Sequence, residues 1–76
     1  MPEGKPIKEN IEISTSGIRC VRQKGDMIVI RYEDGRKIAV TFTSTRKANK
    51  EWRDSSFFDA DIPNILFFGV LRVEES

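Results

Sequence analysis

An Asp-Gly step set between two alternating apolar runs, MIVIRYEDGRKIAVTFT over residues 27–43, constrains this chain more than any other feature. Val, Ile, Tyr and Thr fit a pleated, half-buried surface, and Asp-Gly supplies the turn, so the segment reads as a β-hairpin. Loop length decides which side chains share a face. A two-residue loop pairs Glu33 with Arg36 and sets Ile30 opposite Ala39. A three-residue loop, with Gly35 left-handed, instead pairs Ile30 with Ile38 and Ile28 with Val40. The second gathers the apolar groups on one side and is the register we expect. The same loop length at Lys24-Gly25-Asp26 places Cys20 opposite Ile30 and Ile18 opposite Tyr32. The expected core face is then Ile18, Cys20, Ile28, Ile30, Ile38, Val40 and Phe42. Arg19, Val21, Met27, Val29, Arg31, Lys37, Ala39 and Thr41 are left on the second face, which is mixed rather than fully polar.

Elsewhere the chain supplies short elements. Residues 1–9 hold two prolines, a glycine and four charges and read as a flexible arm before one domain over 10–76. Ile11 and Ile13 flank Glu12 as a first strand, closed by Ser14-Thr15-Ser16-Gly17. Ser44 is placed to cap a short helix over residues 45–53, with Thr45, Ala48 and Trp52 on one stripe. Phe57-Phe58 are expected to anchor the core beside Trp52. Residues 65–73, ILFFGVLRV, read as one buried central strand, with Gly69 at a bulge or a close backbone approach. The expected fold is mainly β: four or five antiparallel strands, SH3-like or strongly bent, with one helix. An open α+β sheet is the alternative.

Size and composition restrict function. The 76 residues contain one cysteine and no histidine, which removes an intrachain disulfide and the usual imidazole-based metal and acid–base sets. No apolar run reaches the roughly 18–20 residues of a membrane span, and the N-terminal segment lacks a signal-peptide centre. A cytoplasmic protein of prokaryotic style is expected, without cofactor, metal, small-molecule substrate or enzymatic activity. Asp59 and Asp61 form a local carboxylate pair, and their Asp-x-Asp spacing in a loop serves turn capping more readily than metal binding. Cys20, on a predicted apolar face without histidine nearby, reads as a structural thiol.

Charge is unevenly spread. Residues 19–53 carry ten Lys/Arg against four acids, whereas residues 54–76 carry one Arg against five acids. Such separation produces opposed surfaces unless the segments neutralise each other in the fold. Two binding surfaces follow. Met27, Val29, Arg31, Lys37 and Ala39 form a protein-contact face that a partner, or a second copy in a homodimer, would cover. Arg46, Lys47, Lys50 and Arg53 offer an alternative nucleic-acid-binding segment on the helix.

The hairpin MIVIRYEDGRKIAV with the later Phe58, DADI and GVL resembles a family of small bacterial proteins of unassigned function. Its pattern is strand, Asp-Gly-Arg, strand, a variable segment, and Asp-x-Asp-Ile before an apolar run. The similarity spans residues 27–71. The variable segment is strongly basic here, and the family's tryptophan before the acidic motif is missing. Some members are encoded beside toxin-like or helix-turn-helix proteins, so the resemblance implies an accessory role and transfers no site residue.

Overall fold

The computed structural model describes residues 10–59 and 61–76; the expected arm at 1–9 lies outside them. The order is β1 (Ile11–Ser14), β2 (Ile18–Lys24), β3 (Met27–Tyr32), β4 (Lys37–Phe42), α1 (Thr45–Asp54), β5 (Asn64–Phe67) and β6 (Val70–Glu75). A four-stranded antiparallel sheet runs β2-β3-β4-β6, and β1 pairs with β5 in a separate two-stranded ribbon. The mainly β expectation holds. The strand number is six among the described residues, and the sheet is not closed into a barrel.

The extra strand comes from residues 65–73, which are two strands rather than one. Phe68 and Gly69 interrupt them, with Gly69 at φ +71°. A left-handed residue cannot continue a ladder, and glycine occupies that conformation without a Cβ penalty. The chain turns there from β1 to β4 as its pairing partner.

The β3–β4 hairpin follows the expected register: Ile28 faces Val40 and Ile30 faces Ile38. Gly35, at φ +98°, ends the Glu33-Asp34-Gly35 loop; its amide donates to Tyr32 O at 3.1 Å, and Tyr32 N donates to Arg36 O at 2.9 Å. The β2–β3 hairpin differs. Its loop is Gly25-Asp26 alone, because Lys24 pairs with Met27. Gly25 has φ +60° while no non-glycine residue described has positive φ. That is the pattern of a II′ hairpin, whose twist matches the strands it joins. Ile18 still faces Tyr32, since a bulge at Arg19 takes up the one-residue difference. Cys20 therefore faces Arg31, not Ile30, and Val21 takes the place opposite Ile30.

The core lies between the four-stranded sheet on one side and α1 with the β1–β5 ribbon on the other. Ile28, Ile30, Val40, Phe42, Phe67 and Val70 are fully buried in it. Phe42 meets Phe67 edge-on at 5.4 Å, and Phe57 sits 6.1 Å from Phe67 and 5.5 Å from Trp52. Phe58, expected beside Phe57 inside, is 70% exposed. One aromatic at that corner suffices to close the gap between α1 and β5. Ser44 caps α1 as expected, its Oγ accepting from Lys47 N at 3.1 Å. No helix described is long and apolar enough to cross a membrane.

Candidate functional site: the open face of the four-stranded sheet

Antiparallel alternation sends every second side chain of β2, β3, β4 and β6 away from the core. Because α1 and the ribbon cover only one side, those side chains form an open face. The register aligns them in rows. Arg31 lies directly opposite Lys37; Val29 lies between Arg22 and Ala39, with Glu74 beyond; Met27 lies between Lys24 and Thr41, with Arg72 beyond. All five residues of the expected contact face, Met27, Val29, Arg31, Lys37 and Ala39, are brought together there. They line a shallow depression of about 940 Å³ with Arg19, Arg22 and Lys24 along the β2 margin and Glu74 and Glu75 along β6.

The floor and rim differ in character. Cys20, Met27, Val29 and Ala39 are half-buried, whereas Arg22, Lys24, Arg31 and Lys37 are exposed. None of Arg19, Arg22, Lys24, Arg31 and Lys37 forms an ion pair with a described residue. On the opposite margin Arg72 Nε stands 3.8 Å from Glu74 Oε2. The face is thus a small apolar patch inside a cationic rim open on the β6 side.

Two assignments on this strand are corrected. Cys20 is not a core thiol; the bulge carries it to the open face, where it is half-buried and unbonded. Val21, expected outside, packs against the core, and Gln23 follows it inward to donate to Asn49 Oδ1 on α1. No pattern in residues 18–24 announces a bulge, since Ile-Arg-Cys-Val can be read in either phase.

The basic helix lies on the other side of the molecule, with Ala48 facing the sheet's core side. Lys47 Nζ is 3.3 Å from Glu51 Oε2, and Lys50 Nζ is 2.8 Å from Asp54 Oδ2. The second pair raises the Lys50 pKa and lowers that of Asp54, in each case chiefly through the hydrogen bond between them. Arg46 and Arg53 are exposed and without a described ion partner. The four cations of the expected nucleic-acid segment are therefore two paired and two open.

A second depression, about 320 Å³, separates α1 from β5 and exposes Ile62, Leu66 and Phe68. The sequence gives no sign of it, because residues 65–73 read as one continuous apolar strand, whereas Leu66 and Phe68 alternate with buried Ile65 and Phe67. Asp59 and Asp61 form a local turn, Asp59 Oδ1 accepting from Asp61 N at 2.9 Å. Among the described residues no three metal-capable side chains cluster. No family model, curated protein or solved structure matches this chain.

Proposed function

We propose that this protein is a small non-enzymatic binding module that engages a protein partner through the open face of its four-stranded sheet. One observation carries the reading: Met27, Val29 and Ala39 form a half-buried apolar floor on a sheet face that no element of the described chain covers. An antiparallel sheet leaves one face to water when that face is polar, whereas an apolar floor calls for a second layer, which a partner would supply. The accessory role implied by the family resemblance is compatible with such a module.

The nucleic-acid reading has Arg46 and Arg53 in its favour, and the ion pairs of Lys47 and Lys50 against it. Affinity capture with three forms of the protein separates the two. A protein partner retained by the wild type and by Arg46→Glu/Arg53→Glu, but lost with Val29→Asp, supports the sheet face. Retention unchanged by Val29→Asp and lost with the helix variant overturns it. Nucleic acid that elutes steeply with salt and depends on the helix arginines carries the alternative.

A further inference from the structure

We infer that the occupant of the open sheet face is an acidic amphipathic helix of a partner protein, an inference that rests on reading that face as the contact surface. Charge is the first ground. Five cations line the depression without a described ion partner; on the β6 margin Glu74 is set against Arg72, and Glu75, opposite Ile38, belongs to the core side beside Tyr32. The surplus selects an anionic partner and disfavours a second copy, which would bring the same surplus against it.

Arg31 and Lys37 are the second ground. They are direct cross-strand neighbours, and like charges so placed oppose strand pairing. A carboxylate lying between them removes that repulsion and gains two charge-assisted hydrogen bonds. Nothing in the free molecule does so among the described residues.

Shape and surface chemistry supply the third ground. Ladder hydrogen bonds lie in the plane of a sheet, so a ligand on its face docks through side chains, not through strand pairing. Three inter-strand steps of roughly 4.8 Å give a face about 14 Å wide, which accommodates a helix of roughly 10–12 Å diameter. The apolar stripe of such a helix would cover Met27, Val29 and Ala39, with its flanking carboxylates reaching Arg22, Lys24, Arg31 and Lys37. No Phe, Tyr or Trp lines the face, so bases of a single-stranded nucleic acid would find no stacking platform.

The test is amide chemical-shift mapping of the whole labelled chain with three probes. One is a helical peptide with Leu at i, i+3, i+4 and i+7 flanked by Glu; the second has Lys in place of Glu; the third is an oligothymidylate. The Glu peptide is expected to shift Arg22, Val29, Lys37 and Ala39, and to weaken by about tenfold or more between about 50 mM and about 300 mM salt. Arg31→Glu, which turns the like-charge pair into an opposite one and keeps the fold, is expected to weaken it by a further factor of about ten. Equal binding by the Lys peptide overturns the acidic assignment and leaves the sheet face as an apolar contact. Tighter binding of oligothymidylate at matched salt overturns it in favour of nucleic acid on the same face. Absence of any face shift overturns it as well, and shifts confined to the α1–β5 groove overturn the contact-face reading too.

Discussion

Tyr32 joins the two sheets through one atom. It ends β3 with its ring buried, and its hydroxyl donates to Ser14 O on β1 at 2.5 Å. Burial raises its pKa above 10.0; the Arg36 guanidinium, 4.7 Å from the ring centre, opposes that rise, and Glu75 and Asp34 add to it. The unfolded chain releases this proton at the ordinary value while the native state keeps it, so the contribution is complete below pH 10 and is lost as pH climbs through the native value. Denaturant midpoints measured from pH 8.5 upward should fall beyond about pH 10 in the wild type. In Tyr32→Phe the fall should be shallower, from a starting stability lower by about 1 kcal/mol for the lost hydrogen bond. The sequence located this tyrosine at a hairpin end but gave no sign of its partner. Ser14 is 18 residues away, and a long-range hydrogen bond leaves no local pattern to read.

The helix and the β5–β6 corner depend on each other. Glu51 is 4% exposed, and its one ion partner described is Lys47. The stem of that lysine lies across Gly69, so close that a Cβ there would come within 2.7 Å of Lys47 Cε. Gly69→Ala therefore strains a left-handed residue, worth about 1–2 kcal/mol, and pushes the lysine off its carboxylate. Lys47→Met keeps the stem and leaves Glu51 without its cation; we expect a loss of about 1–3 kcal/mol in urea unfolding, because a carboxylate is then buried alone. Lys47→Met combined with Glu51→Leu should recover most of that loss, since an apolar pair of similar size carries no desolvation penalty. Recovery of none of it would show the corner to rest on the ion pair itself. At this scale much was legible. The period-two runs, the Asp-Gly loop with left-handed Gly35, and the Ser44 cap each have a local cause in adjacent residues, and the β3–β4 hairpin and α1 lie within one or two residues of their expected ends. Gly69 was recognisable as a close approach, but its neighbour Lys47 belongs to an element 22 positions earlier in the chain. The two strands flanking it read as one for the same reason: apolar content is continuous across a corner that only tertiary pairing reveals.

For the molecule as a whole, the decisive arrangement is that one sheet separates two basic surfaces. The charge asymmetry along the chain was visible in the sequence, whereas its division between the open face and the outer side of α1 follows from topology. The five expected contact residues converged because their register was fixed by the Gly35 loop alone. Cys20 and Val21 exchanged places because their register depended on a different turn and on a bulge. Arg19 is that bulge, unpaired while Ile18 still faces Tyr32 and Cys20 faces Arg31. Losing one residue from the middle of a strand ordinarily inverts everything beyond the gap. Removal of Arg19 should do the opposite here, joining two stretches already in phase with β3 and yielding an uninterrupted ladder. Backbone amide exchange on the shortened chain should report native protection from Val21 to Lys24. Position 19 thus marks where this fold tolerates a change of length, so a natural or designed variant one residue shorter can straighten β2 while every other side chain keeps its post.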